Sequence, residues 1–230
     1  QGLRQTYPAG RPKPTWRTDI ETLAARRRDR LQAESTLNGE PMLPQRVYPE
    51  LRRALPRDCM VTIDAGITPG LAYDRLHFEV PRTMFNYAGH GGLGMGLCVG
   101  LGTKLGRPNR PAVSLQGDGG FLYTSQELNT AVRWGIPLVS IVLNNGCHGA
   151  EKAQQQRFYD GRYIGVDLVN PRFDKLAEVY GARGFYVSRP DETADAVVEA
   201  LAVDGPSVIE IPVAEYFPPS APTPASASRH

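Results

Sequence analysis

Two short turns carry the clearest chemistry in this chain, Gly117-Asp118-Gly119 and Asn144-Asn145-Gly146. Asp118 offers one hard oxygen and Asn145 another, while the neighbouring glycines let backbone come close to whatever those oxygens hold. Mg²⁺ prefers near-octahedral oxygen coordination and often takes only one or two carboxylates, leaving its other positions to phosphate and water. A site of this composition suits a diphosphate. Taken alone, each turn has a simpler explanation, because Asp-Gly and Asn-Gly favour turns anyway. Their joint spacing, with 24 residues from Gly120 to Leu143 between them, is what marks a ligand site.

Something must bring the two turns together. Each closes an apolar run rich in β-branched residues, at 111–115 and 137–143, and Leu122, Leu128, Val132 and Trp134 between them fit a helix face. The pattern predicts a strand, helix, strand unit with a right-handed crossover between parallel strands. Both turns then lie at the carboxyl ends of their strands, the edge at which open α/β sheets bind ligands. A third strand is predicted over 59–64, and the turn 65–70 after it belongs to the same edge. Thr68 in that turn is a candidate for a diphosphate oxygen; capping the next helix is its alternative role. A short strand near 84–87 leads into the glycine-rich run 89–96, followed by a small-residue helix, 97–105, whose lack of bulk allows close packing beneath a cofactor. Helices are predicted at 44–55, 171–180 and 191–202, and further strands at 185–188 and 207–213.

The flanks read differently. Residues 1–15 mix Gly and Pro with basic residues as a linker or domain tail would, and 16–33 follow a helical pattern. Arg26-Arg27-Arg28 on that helix reads as a solvated face. The domain boundaries follow: a linker and basic helix from a preceding domain at 1–43, a ligand-binding domain at 44–215 and a flexible tail at 216–230. A start at Gln1 is the start expected of a processed or cleaved larger polypeptide, or of a chosen expression boundary.

A chain of 230 residues can bury a full core, and a net charge of +2 gives no reason to invoke nucleic acid or a membrane surface. No apolar run is long enough to span a bilayer. Cys59, Cys98 and Cys147 are unclustered and odd in number, which predicts reduced thiols and a cytoplasmic setting.

Over about 44–213 the chain resembles the diphosphate-binding domain of the acetolactate synthase and 2-oxo acid decarboxylase group of thiamine-diphosphate enzymes. The residues carrying this resemblance are GGLGMG at 91–96, GDGGF at 117–121, QELNTAVRWGIP at 126–137 and LNNG at 143–146. It implies an α/β fold, a parallel sheet with helices on both faces, and two cofactors, thiamine diphosphate and Mg²⁺. Asp118, the Asn145 side chain and the Cys147 carbonyl are the implied metal ligands. Gly117, Gly119, Gly120 and Asn145 belong to the diphosphate site, Leu93 stands under the bent cofactor, and the Gly91 carbonyl accepts from the aminopyrimidine.

The resemblance also implies a partner: a pyrimidine-binding domain on another chain or cleaved segment that brings an activating glutamate. The substrate would be a small 2-oxo acid or aldehyde, and the active form an assembly of at least two such halves. Alone, the chain would bind cofactor weakly and turn nothing over. The stretch from Gly149-Ala150-Glu151-Lys152 through Phe158-Tyr159 and Arg162 is locally similar to sulfoacetaldehyde acetyltransferase. GHGGLG at 89–94 looks instead like benzoylformate decarboxylase and acetolactate synthase. Two catalytic candidates remain double-valued. His90 is a proton shuttle or a packing residue of a glycine-rich turn. Glu151 handles a proton or makes an ion pair on its helix. Three functions follow: decarboxylation with transfer of the remaining fragment, acyl transfer to phosphate, or a non-catalytic subunit that keeps the fold.

Overall fold

The computed structural model describes residues 14–86 and 89–217. The chain divides into two compact units, 1–37 and 38–230. The first contains helix α1 (Pro14–Glu34), with Arg26, Arg27 and Arg28 exposed and an Arg17–Glu21 ion pair one turn apart at 3.0 Å. The predicted linker 1–15, for all but its last two residues, and the tail from 218 onward lie outside the described residues, as does Tyr87 at the end of one predicted strand.

The second unit is built on six strands, β1 (Met60–Ile63), β2 (Met84–Asn86), β3 (Ala112–Gly117), β4 (Val139–Asn144), β5 (Arg183–Tyr186) and β6 (Ser207–Pro212). They form one sheet in the order β2-β1-β3-β4-β6-β5, with every pairing parallel. Parallel strands need crossovers, and those crossovers cover both faces. Val61, Ile63, Val113, Leu115, Ile141 and Ile209 point to one face and pack against α2 (Pro44–Ala54) and α10 (Pro190–Leu201) through Val47, Tyr48, Leu51 and Val197. On the other face Met60, Ala112, Val142 and Val208 meet α5 (Met95–Gly106), α6 (Asp118–Thr124), α7 (Glu127–Arg133) and α9 (Phe173–Tyr180). The ring of Phe121 stands edge-on to that of Phe173 at 5.4 Å. The fold is the α/β architecture that the strand and helix pattern predicts.

Two local differences bear on the site. The single helix expected between the central strands is two, α6 and α7. At their junction the N–H groups of Leu128 and Asn129 bond to the carbonyls of Ser125 and Gln126, a tighter three-residue repeat that breaks the α-helical ladder. The turn after β1 contains a one-turn helix, α3 (Ile67–Gly70), followed by another, α4 (Ala72–Arg75). The α5 glycines, for their part, serve the sheet: Thr62 Oγ1 donates to the Gly96 carbonyl at 2.9 Å, so the helix lies close over β1. Among the described residues, no helix is long and apolar enough to cross a membrane.

Candidate functional site

Strands β1, β3 and β4 are adjacent, so the turns at their carboxyl ends converge on one cleft. Ala65 to Pro69 form one wall, Gly117 to Gly120 the floor, and Asn145 with Cys147 to Glu151 the other wall; Gly91 and Leu93 close it from the glycine-rich loop. The cleft therefore collects Thr68, Gly91, Leu93, Gly117, Asp118, Gly119, Gly120, Asn145, Cys147 and Glu151. Of the candidates taken from sequence, His90 alone is not among the lining residues; it is exposed in the turn just before Gly91. Thr68 lies inside α3, whose N-cap is Gly66, so the capping alternative does not describe it. Its carbonyl accepts the hydroxyl of the buried Tyr48, which pins α3 to the core beneath.

The floor is shaped by close approach. A Cβ on Gly120 would stand 2.3 Å from Asp64 Oδ2, and one on Gly119 would stand 2.7 Å from His148 Nδ1. Neither position can carry a side chain without moving a neighbour. Asp64, at the end of β1, is itself buried and accepts the Gly94 N–H at 3.0 Å. It thus joins the β1 turn to the glycine-rich loop.

Asp118 is 2% exposed. Burial pushes its carboxyl above the usual carboxylate range, opposed by the Gly119 N–H and the Asn170 amide. One terminal atom of the Asn145 amide lies 3.0 Å from the Cys147 carbonyl oxygen and 3.2 Å from Asp118 Oδ1. A nitrogen there would donate to both; an oxygen there accepts the Cys147 N–H at 3.4 Å and crowds three oxygens together. Adjacent oxygens around an octahedral Mg²⁺ with bonds of 2.0–2.1 Å are separated by about 2.9 Å, close to this spacing. Among the described residues no three His, Cys, Asp or Glu side chains cluster for a metal. A cation here would rest on one carboxylate, one amide and one carbonyl, a hard donor set incomplete without outside oxygens such as those of a phosphate.

The opposite wall is the start of α8 (Gly149–Phe158). Lys152 anchors it, donating to Asp167 Oδ1 at 2.8 Å and Glu215 Oε1 at 2.6 Å. Glu151 is left exposed on the rim; its neighbour's ammonium is spent elsewhere. Burial pushes the Cys147 thiol up to about 11, so this residue presents its carbonyl and not a thiolate.

Sequence reasoning missed Asn170 and Glu210. Asn170 Nδ2 bonds to Asp118 Oδ2 at 2.7 Å although 52 residues separate them. Nothing in local spacing marks Asn170. Glu210 had a signal, a lone charge inside the apolar run of β6.

Comparison with known proteins agrees with this geometry. Residues 64–211 match the family described as thiamine pyrophosphate enzyme, C-terminal TPP binding domain. The chain is 35% identical over 173 residues to sulfoacetaldehyde acetyltransferase of Castellaniella defragrans, covering 75% of this chain and 29% of that one. It is 34% identical over 196 residues to a probable acetolactate synthase of Mycobacterium bovis, covering 85% and 36%. Among solved structures, the 4-hydroxybenzoylformate decarboxylase of Rhodococcus jostii RHA1 superposes with a TM-score of 0.73 at 30% identity, over 78% of this chain and 34% of that chain. The chain spans about a third of the length of the curated relatives it matches.

Proposed function

The chain belongs to the thiamine pyrophosphate enzymes as their C-terminal cofactor-binding domain, and from that premise we propose that it is the diphosphate half of an enzyme that decarboxylates a 2-oxo acid and passes the remaining fragment to an acceptor. The observation that carries this is the convergence of Asp118 Oδ1, the Asn145 amide and the Cys147 carbonyl at the floor of a glycine-lined cleft.

In this reading those three groups would hold Mg²⁺, which would tether the diphosphate of thiamine diphosphate in the cleft. Gly119, Gly120 and the first turn of α8 line the same cleft, where a helix N-terminus would favour the negative charge of a diphosphate. Thr68 would offer a hydroxyl from α3, Leu93 an apolar surface beneath the cofactor, and the Gly91 carbonyl an acceptor for its aminopyrimidine. When bound, thiamine diphosphate supplies the carbon nucleophile and the electron sink that decarboxylation of a 2-oxo acid requires. Glu151 stands on the rim, exposed and with no ion pair among the described residues, where it can take or give a proton at the substrate. His90, in the exposed turn beside Gly91, is a second proton carrier only if the partner brings it inward.

That partner is a pyrimidine-binding domain supplying the activating glutamate, consistent with a match that spans about a third of its relatives' length. The complete site is then shared between at least two halves. Three free cysteines fit a reducing, cytoplasmic setting. The test is calorimetry on the native assembly: thiamine diphosphate should bind with Mg²⁺ present and lose its affinity when the metal is chelated. Pyruvate and a panel of other 2-oxo acids should then be consumed. Absence of binding with Mg²⁺ in excess would sink the reading.

A second reading is favoured by the 35% identity to sulfoacetaldehyde acetyltransferase. Acetyl phosphate formed from sulfoacetaldehyde and inorganic phosphate would select it. Cofactor binding without turnover of any of these would select the non-catalytic subunit.

A further inference from the structure

Behind Asp118 a chain of hydrogen bonds runs across the sheet edge, and its polarity is set from one end. Glu210, in β6, is 2% exposed. Its Oε2 accepts the Phe173 N–H at the start of α9 at 2.7 Å and lies 3.6 Å from Arg172 Nε. Its Oε1 accepts Asn144 Nδ2 at 2.8 Å. Facing the Phe173 N–H and Arg172 as an acceptor, the Glu210 carboxyl also accepts from Asn144, which turns its NH₂ toward Glu210 and its oxygen the other way. That oxygen receives the Gly146 N–H at 3.2 Å and Asn170 Nδ2 at 2.9 Å. Asn170 is thereby obliged to present its NH₂ group as well, and the same nitrogen reaches Asp118 Oδ2 at 2.7 Å. The amide accepts a cost for this orientation, since its own Oδ1 is buried with no hydrogen-bond partner among the described residues.

We infer that Asn170, oriented through Asn144 by Glu210, is a positioning residue that occupies Asp118 Oδ2 and so presents Oδ1 to the cation site. The links run between two accepting carboxyls, Glu210 at one end and Asp118 at the other. Asn170 holds Asp118 Oδ2 while Oδ1 lies beside Asn145 and the Cys147 carbonyl, with the Gly119 and Gly146 N–H groups also supporting the carboxyl. The inference rests on the cation site proposed above and concerns residues that do not touch the cation.

The experiment is a titration of the native assembly with Mn²⁺ in the presence of saturating thiamine diphosphate, reading free Mn²⁺ by electron paramagnetic resonance. Asn170→Ala should weaken Mn²⁺ binding roughly 10- to 100-fold, the range for partners behind a metal's own ligands. The isosteric Asn170→Asp, which cannot donate when ionised and sets a second negative charge against Asp118, should weaken it at least as much. Metal-free melting temperatures should stay within a few degrees of wild type, a readout that separates positioning from scaffolding. A folded variant that binds Mn²⁺ within about threefold of wild type overturns the inference. If the alanine variant does not fold, the aspartate variant decides; if neither folds, Asn170 is scaffold and the inference falls. Wild type that takes up no Mn²⁺ would instead bring down the cofactor reading itself, an outcome visible before any variant is compared.

Discussion

The two ends of the sheet are made from the same strands and treat polar groups in opposite ways. At the amino-terminal edge the ammonium of Lys104 donates to the carbonyls of Pro108 and Arg110 at 2.8 Å each. The Arg110 guanidinium is spent on Asp58, reaching its carbonyl at 2.6 Å. At the carboxyl-terminal edge Asp64, Asp118 and Glu210 are buried, and Asp64 Oδ1, Gln116 Oε1 and Asn170 Oδ1 are enclosed with no hydrogen-bond partner among the described residues. Burial pushes the carboxyls of Asp64 and Asp118 upward, against only partial support from nearby donors. The first edge is finished and the second is held short of satisfaction. Buried polar groups that the chain leaves incomplete are the places where a ligand can complete them.

The sharpest way to break this contrast is Asp118→Ala. Thiamine diphosphate uptake in the presence of Mg²⁺, followed by calorimetry, should weaken by more than about 100-fold, beyond the range for residues behind the ligands. A variant that still binds cofactor as wild type does would remove the functional meaning of the carboxyl-terminal edge.

Lys104→Met tests the opposite end. Two carbonyls lose a charged donor, so stability should fall by about 1–3 kcal/mol, or roughly 2–12 °C in melting temperature for a domain of this size. Cofactor affinity in the folded variant should not change. Gly120→Ala and Gly102→Ala make a matched pair by thermal unfolding. The first sets a methyl 2.3 Å from Asp64 Oδ2 and should cost about 1–3 kcal/mol. The second, exposed in α5 with no atom within 4 Å of its new Cβ, should gain about 0.5–1 kcal/mol from helix propensity.

A smaller effect concerns pH. Burial holds the Asp64 carboxyl above its ordinary 3.8 in the fold, so the folded state binds this proton more tightly than the unfolded chain. The stability tied to the protonated form is full below 3.8 and is lost as pH rises through the raised value. Asp64→Asn keeps an acceptor for the Gly94 N–H and removes the titration. The melting temperature of the variant minus that of wild type should therefore increase between pH 4 and pH 7, and a flat or falling difference would contradict the burial. The least effect is expected of Cys147→Ala. Only its carbonyl faces the site, and cofactor affinity should stay within about twofold by the same calorimetry, as expected of a substitution that leaves the backbone group in place.

Much of this edge was legible before any coordinates. Asp118 and Asn145 could be paired because turn residues at the ends of two apolar runs, joined by a helix-length segment, have one sensible arrangement in a parallel sheet. The helix boundary inside that segment was not legible, since the break at Ser125 and Gln126 involves neither Gly nor Pro. The roles of Thr68 and Glu151 stayed double in the sequence. The fold places Thr68 inside a short helix against Tyr48 and pairs Lys152 with Asp167 and Glu215, leaving Glu151 exposed beside the cleft.

What the sequence determined by itself is everything written in periodicity and local turn chemistry: the alternation of buried strands and amphipathic helices, the parallel sheet, the cleft at its carboxyl edge and the oxygen donors in that cleft. These features are local, or are forced by right-handed crossover between neighbours. Tertiary structure alone decided which distant groups stand behind those donors. Asn170 and Glu210 come to Asp118 and Asn144 from 52 and 66 residues away. A hydrogen bond between side chains so far apart in sequence leaves no period or spacing behind it. Its partners become neighbours only when β3, β4 and β6 are laid side by side.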